Sequence, residues 1–164
     1  MSAERDDAGR EATKGRPASL WQLEQLLTQT DIPLFKGLSK RHLRRIARTA
    51  ELEQHLGTVD VVRAGSRGDA FYVIVDGTAE YRAADGDTGT LQPGDYFGEL
   101  ALIDGAPRSA TVTSMGELTA LRIRRDSFQK LLREEPAIAV GLLPGLVAIV
   151  RELQAQLSFQ PDRV

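Results

Sequence analysis

The chain has 164 residues, with 21 basic and 23 acidic side chains and a formal net charge of −2. This length suits one domain with its own core, and the balanced charge gives no reason to expect a nucleic-acid or membrane partner. The sequence contains no cysteine, which excludes disulfides and thiolate metal sites.

The first segment, Met1–Ala18, is polar and mixed in charge and lacks the apolar stretch of a signal peptide. We predict a disordered tail here and a cytoplasmic protein. The longest apolar run, Ala137–Val150, contains a proline and two glycines. A membrane span needs about 20 apolar residues without interruption, so we predict that this run is not one.

The segment Ser19–Ala50 is predicted to be helical, because its apolar residues recur at helical spacing. Ser19 and Ser39 are predicted N-caps, and Pro33 is expected to fix a tight turn between the two helices. The apolar residues of the first helix are Leu20, Leu23 and Leu27, and those of the second are Leu43, Ile46, Ala47 and Ala50.

From Glu51 to Arg124 glycines recur at short intervals and separate short runs rich in β-forming residues. Such spacing predicts a sandwich, a barrel or a jelly roll. The runs are "VDVV", "AFYVIV", "TAEYR", "TVTS" and "LTALRI".

The helical period returns from Asp126 onward. Asp126 and Gln129 resemble a capping box, Pro136 is expected to end that helix, and Pro144 is expected to open a last helix. The apolar stripe of the last helix comprises Leu146, Ile149, Val150, Leu153 and Leu157.

One stretch, "FGELALIDGAPRSATV" (Phe97–Val112), contains an acid, Glu99, and a base, Arg108, among mostly apolar and small residues. A short helix opening at Gly98 would offer unpaired amides to an anion. Arg108, nine residues after Glu99, carries a guanidinium fork that matches two phosphate oxygens. Glu99 would then accept a hydroxyl from a sugar attached to the phosphate.

These residues strongly resemble the phosphate-binding cassette of cyclic nucleotide-binding domains, as found in protein kinase A regulatory subunits, the catabolite activator protein and cyclic-nucleotide-gated channels. The Gly-Glu-Leu-Ala core, the Pro-Arg-Ser-Ala core and the step from acid to base all match. The resemblance covers about Ile32–Leu157, including "PLFKGLSKRHLRRIA" and "GSRGDAFYVIVDGTAEY". The hairpin "YRAADGDTGTLQPGD" is shorter than in many relatives, which leaves the strand count open.

The resemblance implies an α+β fold, in which a β-jelly-roll barrel is flanked by N-terminal helices and by C-terminal hinge and lid helices. One domain would occupy residues 19–160. Its N-terminal helices would span 19–50, its barrel 51–124 with the cassette at 97–112, and its C-terminal helices 126–160.

The resemblance also implies a role for each cassette residue. Glu99 would accept the ribose 2′-hydroxyl, Arg108 would pair with the cyclic phosphate, and the amides of Ala101 and Ser109 would donate to phosphate oxygens. Serine at position 109 occurs in binders of cAMP and of cGMP; we favour cAMP. The full set of expected ligand-binding residues is Gly98, Glu99, Leu100, Ala101, Arg108, Ser109 and Ala110.

The function predicted from these features is that of a stand-alone cyclic-nucleotide sensor that relays ligand occupancy to a downstream protein through its C-terminal helices. A ligand-independent protein-interaction domain on the same fold is the alternative, in which Arg108 could form a structural ion pair with Glu99. A transcription factor would need a helix-turn-helix after the last helix, and we expect none.

No catalytic arrangement of side chains is apparent, so we expect no enzyme. His42 and His55 are the only histidines, and we expect no metal site and no cofactor. The charges of "KRHLRRIAR" lie opposite Leu43, Ile46 and Ala47, which indicates a solvated helix face.

The last helix, predicted at Pro144–Gln160, would be about 24 Å long and could cross the mouth of a small barrel. Gly141, Pro144 and Gly145 are predicted to form a hinge before it. Ligand would draw this helix over the base, with Leu153, Gln156 and Leu157 as the lid. The apolar stripe also suits a homodimer through this helix, and a helix packed permanently on the barrel is the alternative.

Overall fold

The computed structural model describes residues 12–14 and 19–158. Helix α1 spans Leu20–Gln29 and α2 spans Lys40–Ala47, and one 3-10 turn at Pro33–Phe35 lies between them. The Ser19 hydroxyl accepts a hydrogen bond from the Gln22 amide, and the Ser39 hydroxyl accepts one from the His42 amide. Both predicted N-caps are therefore confirmed.

The barrel consists of two antiparallel sheets. The strand order is β1-β2-β9-β4-β7 in the first sheet and β3-β8-β5-β6 in the second. The predicted jelly-roll fold with flanking helices is confirmed. The strands are β1 (Ala12–Lys14), β2 (Ala50–His55), β3 (Asp60–Val62), β4 (Ala70–Asp76), β5 (Ala79–Ala83), β6 (Thr88–Leu91), β7 (Tyr96–Phe97), β8 (Ala110–Ser114) and β9 (Leu118–Arg124).

Four strands, β1, β2, β6 and β7, match none of the five runs predicted as strands. Strand β1 falls inside the segment predicted to be a disordered tail, the rest of which lies outside the described residues. Strand β2 begins at Ala50, a position assigned to the second helix. It gave no strand signal because Glu51, Glu53 and His55, which share one face of β2, are charged or polar.

The first sheet separates two apolar clusters. Phe71, Val73 and Leu121 point from one face into a core shared with the helices. Tyr72 and Ile74 point from the other face toward the second sheet, into the interior of the barrel. Alternation of successive side chains along each strand produces this division.

The helix after the barrel, α4, spans Arg125–Glu134. Its predicted capping box is wrong: the helix begins before Asp126, and its N-cap is Arg124, with no side-chain hydrogen bond. Gln129 instead donates to the carbonyl oxygen of Leu102, at 2.5 Å. This side chain therefore connects α4 to the cassette rather than closing its own helix.

The last helix, α5, runs without interruption over Pro136–Ser158, with Pro144 inside it. Helix α4 ends at Glu134, so the predicted break at Pro136 is confirmed, whereas the predicted start at Pro144 is wrong. Phe159 and Gln160 lie outside the described residues. Pro136 occupies the first turn, where a missing amide hydrogen costs nothing. Pro144 removes one helical hydrogen bond, and packing of the surrounding turns maintains the helix.

The glycines predicted to form a hinge are positions of close packing in the structure. A Cβ atom at Gly145 would lie 2.4 Å from the carbonyl oxygens of Pro33 and Leu34, and one at Gly141 would lie 2.7 Å from Leu38 Cδ2. Glycine at both positions lets the backbone of α5 approach the 3-10 turn closely.

Among the described helices, α5 is the one long and apolar enough to cross a membrane, judged by length and composition. Proline and glycine do not interrupt this helix, contrary to the prediction for Ala137–Val150. Core helices of soluble proteins meet the same criteria, so this finding alone is weak support for a span. The exposed apolar residues of α5 form a stripe, which we call the α5 stripe: Val140, Leu143, Val147, Val150, Leu153 and Leu157.

Candidate functional site

The cassette residues Gly98 and Arg108 lie next to each other at the first residue of β4, Ala70. Gly98 has a φ of +82°, a conformation that glycine adopts without strain. A Cβ atom there would lie 2.3 Å from Arg108 Nη1 and 2.9 Å from the Ala70 carbonyl oxygen. Glycine is thus required at this position both by its backbone conformation and by the guanidinium beside it.

The Arg108 side chain is buried, and the chain before β4 holds it. Its Nη2 donates to the Ala70 carbonyl oxygen at 2.7 Å and lies 3.4 Å from Asp69 Oδ1. A buried guanidinium is stable only when it is paired and hydrogen-bonded. These contacts fix the orientation of the fork that the sequence assigned to a phosphate.

The loop before β4 is joined to the cassette through the backbone as well. The Arg108 amide donates to the Ser66 carbonyl oxygen at 2.8 Å, and the Gly65 amide donates to the Arg108 carbonyl oxygen at 2.8 Å. Sequence analysis assigned no role to Asp69 or Ala70. Both residues lie in "GSRGDAFYVIV", but nothing in that stretch indicates that this loop contacts Arg108.

Helix α3 (Ala101–Asp104) is shorter than predicted and does not open at Gly98. The Ala101 amide donates to the Gly98 carbonyl oxygen at 3.2 Å, so in this structure it closes the turn before the helix. Arg125 Nη2 donates to the Ile103 carbonyl oxygen at 3.2 Å at the other end. Together with Gln129, it ties the last turn of α3 to α4.

A cavity of about 330 Å³ opens at the cassette. All seven residues predicted to bind ligand line it, whereas the other lining residues were not predicted. The predicted residues are Gly98, Glu99, Leu100, Ala101, Arg108, Ser109 and Ala110; the others are Val62, Phe97, Asp104, Ala106, Pro107 and Val112.

Glu99 and Arg108, which both line this cavity, differ in their surroundings. Burial raises the pKa of the Glu99 carboxyl, and a hydrogen bond to backbone lowers it by less. Arg108 stays positively charged and pairs with Asp69. The cavity therefore presents a fixed cation and a half-buried carboxyl that is well suited to accept a hydroxyl hydrogen bond.

The predicted lid residues do not reach this cavity. Leu153, Gln156 and Leu157 are all exposed and are not among the lining residues. No described residue of α5 lines the cavity.

The described residues contain no group of three or more histidine and carboxylate side chains able to hold a metal ion. The two histidines belong to separate elements, His42 to α2 and His55 to β2. The charged and polar side chains that line the cavity are those of Arg108, Glu99, Asp104 and Ser109.

Comparison with known proteins assigns this arrangement to a family. Residues 59–135 match the family model described as "Cyclic nucleotide-binding domain". The matched segment includes the whole cassette and both arginine-holding residues, Asp69 and Ala70. The chain therefore contains a cyclic nucleotide-binding domain.

A curated relative is the cAMP-dependent protein kinase regulatory subunit of Mycosarcoma maydis, 41% identical over 98 residues. That alignment covers 57% of this chain and 19% of the relative, so the chain spans about a fifth of the relative's length.

Solved structures show the same fold. The regulatory domain of Toxoplasma gondii PKA with cAMP is 25% identical, with a TM-score of 0.62, over 81% of this chain and 49% of that one. The N-terminal domain of a Streptomyces coelicolor A3(2) transcriptional regulator is 24% identical and has a TM-score of 0.68, over 85% of this chain and 99% of that one. At this identity the second likeness concerns the fold alone.

Proposed function

We propose that the chain binds cAMP at the cassette cavity and relays ligand occupancy to another protein. The observation that carries this proposal is the placement of Arg108: a buried cation, oriented by Ala70 and Asp69, that lines a cavity also lined by Glu99. A cyclic phosphate would accept from the guanidinium fork. The ribose 2′-hydroxyl would donate to Glu99.

The size and lining of the cavity support a small ligand. Its volume of about 330 Å³ lies at the lower end of the range typical of ligand pockets, roughly 300–1,000 Å³. Val62, Phe97 and Val112 supply apolar surface beside the polar cassette. A nucleotide combines the same two characters, an apolar base and a charged phosphate.

The choice of cAMP over cGMP rests on the relatives. The curated relatives are named as cAMP-dependent kinase regulatory subunits, and the Toxoplasma structure contains cAMP. Ser109 lines the cavity and has a hydroxyl that suits either ligand. Calorimetric titration with cAMP and with cGMP distinguishes the two, and binding of neither would favour the alternative, a ligand-independent protein-interaction domain.

Arg108→Ala provides the direct test of the site. The variant loses the charge-assisted, bidentate contact between the guanidinium and the phosphate, which should weaken cAMP binding at least about 10–100-fold. Arg108→Lys should also weaken binding, because an ammonium group cannot form the fork. Calorimetry gives the affinities, and thermal melts confirm folding.

The exposed Arg133 of α4 offers a matched control, since Arg133→Ala removes the same charge away from the cavity. Unchanged affinity in Arg108→Ala would show that the phosphate does not bind there.

The relay is proposed to run through α5. The α5 stripe is large and exposed, and a second copy of the chain is its proposed partner, alongside an unidentified downstream protein. We propose a regulatory binding protein of the cytoplasm, and the names of the curated relatives, regulatory subunits, support the regulatory role. If α5 proves to bind a membrane, that membrane and not a second copy of the chain is the partner of the α5 stripe.

A further inference from the structure

A charged network lies inside the barrel, outside the cassette. Glu53 of β2 uses both carboxylate oxygens: Oε2 lies 3.0 Å from Arg122 Nη1 and Oε1 lies 2.8 Å from His55 Nε2. The first contact is a hydrogen bond, whereas the second is close without being aligned as one. Glu53 and His55 are 7% and 4% exposed.

The strand register explains why these side chains meet. Arg122 lies opposite Tyr72 of β4 on one side and opposite Glu51 of β2 on the other. Tyr72 faces the barrel interior, and residues paired directly across a sheet share a face. Arg122 and Glu53 therefore face the barrel interior, next to the ring of Tyr72, whereas Glu51 on the same face is exposed.

Stability of the fold is a poor reason for such a network. Moving charges out of water costs free energy, and apolar residues of similar volume often serve a core equally well or better. The four neighbours of Arg122 outweigh burial: burial alone would lower its pKa, but Tyr72, Glu53, Asp69 and Glu51 raise it. Arg122 is thus a firmly held cation in the barrel.

The aromatic ring of Tyr72 lies between this network and Arg108. Arg122 Cζ lies 6.0 Å from the centroid of the Tyr72 ring, and Arg108 Cζ lies 5.9 Å from the same centroid. Both distances are within the range of a cation–π contact. Tyr72 also stacks on Phe97, a lining residue of the cavity, with centroids 4.9 Å apart.

We propose that Arg122, held by Glu53, is a positioning residue of the phosphate site: it fixes the Tyr72 ring on which the Arg108 guanidinium rests. This inference deepens the proposed function and rests on it for its effect on ligand. The same ring contacts both guanidinium groups, so a movement of Tyr72 shifts Arg108 relative to Gly98 and Ala70. Glu53 keeps Arg122 on the ring, and His55 Nε2 lies 2.8 Å from the second oxygen of Glu53.

The test compares Arg122→Met, which keeps the length and loses the charge, with Leu118→Ala. Leu118 is a buried residue of the same strand whose side chain also lies in the barrel interior. It is four positions along β9 from Arg122, the residue opposite Tyr72, so its truncation destabilises the barrel away from that pair. Two readouts are used: the NMR resonance of the Arg108 Nε–H group without nucleotide, and the affinity for cAMP by calorimetry.

We expect Arg122→Met to shift the Arg108 resonance and to weaken cAMP binding roughly 3–10-fold, the size of a lost cation–π contact. Leu118→Ala should lower the melting temperature with neither effect. In an Arg108→Ala background Arg122→Met should cause no further loss of affinity, because its action passes through Arg108. An unmoved resonance with unchanged affinity in Arg122→Met would overturn the inference, and so would an additive loss in the double variant.

Failure of the two proposals can be told apart. A wild-type protein that does not bind cAMP contradicts the proposed function, while the Arg108 resonance still decides whether Arg122 positions it. Where Arg122→Met does not fold, Glu53→Gln takes its place: it keeps the shape of the side chain and weakens the hold on Arg122. A shifted Arg108 resonance is again the expected result, and an unshifted one would contradict the inference.

Discussion

Gly98 shows at the scale of one residue how the cassette leaves room for a cation. We expect Gly98→Ala to lower the melting temperature and to weaken cAMP binding, because the new methyl group would collide with Arg108 Nη1 and the Ala70 carbonyl oxygen. Strain at positive φ adds a cost of about 1–3 kcal/mol. Calorimetry and thermal melts measure the two effects.

Gly86 provides the control for this substitution. Its φ is +93°, and a Cβ atom there would meet nothing within 4 Å. Gly86→Ala therefore introduces the backbone strain without the collision. The role assigned to Gly98 is wrong if both variants lose the same stability and both bind cAMP as the wild type does.

Glu99 makes the stability of the protein depend on pH. Burial raises its pKa above the ordinary 4.5, so the folded state holds this proton more tightly than the unfolded chain does. Stability from this group is therefore lost as the pH rises through the raised pKa. We expect Glu99→Gln to melt at a higher temperature than the wild type at about pH 7 and at a similar temperature near pH 3.5.

Melting curves of both proteins across this range measure the effect. Glu117→Gln serves as the control, because Glu117 lies in the exposed turn between β8 and β9 and outside the cavity. A difference between Glu99→Gln and the wild type that grows toward acid pH would contradict the assignment.

The cassette residues were predictable at this scale because they are contiguous. Glu99, Arg108 and their neighbours form one run with a recognisable spacing, and all seven line the cavity. Asp69 and Ala70 were not predictable, because they reach Arg108 across 39 and 38 positions of the chain. Their contacts depend on the pairing of strands, which no local pattern encodes.

At the scale of an element, α5 divides into two parts. Its first half is buried at Ile138, Leu142 and Gly145, whereas the residues from Val150 to Ser158 are exposed. We expect cAMP to draw the second half toward the cavity and to slow hydrogen exchange of its amides, those of residues 146–158. Hydrogen exchange with and without cAMP measures this protection.

The first half of α5 serves as the internal control, since its burial already protects it. Equal exchange in both states throughout residues 146–158 would mean that α5 stays permanently where the structure has it. The lid residues Leu153, Gln156 and Leu157 would then have no role in binding.

The strands agree with the sequence prediction where their inward face is apolar and disagree with it where that face is charged. Strands β4 and β9 were predicted because their runs are rich in β-forming residues. Strand β2 was missed because its inward face is charged. The continuity of α5 was missed because proline usually ends a helix, whereas Pro136 begins this one and Pro144 is accommodated within it.

At the scale of the whole molecule, the α5 stripe predicts a dimer. We expect the wild type to sediment as a dimer and the double variant Val147→Glu, Val150→Glu to sediment as a monomer with an unchanged melting temperature, because both residues are more than half exposed. Analytical ultracentrifugation measures the mass.

Arg151→Glu on the same helix serves as a charge control, since Arg151 lies outside the α5 stripe. A wild-type monomer at all concentrations would contradict the homodimer. Flotation of the wild type, but not of the double variant, with phosphatidylcholine vesicles would indicate a membrane as the partner instead.

The order of strands in the first sheet has a consequence for the chain as it leaves the ribosome. Strand β9 lies between β2 and β4, although both are synthesised before it. Until residues 118–124 emerge, β2 has no partner on that side and β4 can pair only with β7. The nascent chain must therefore keep two strand edges unpaired while the cassette is being synthesised. The cassette is complete before β9 can join β2 to β4 and close the first sheet.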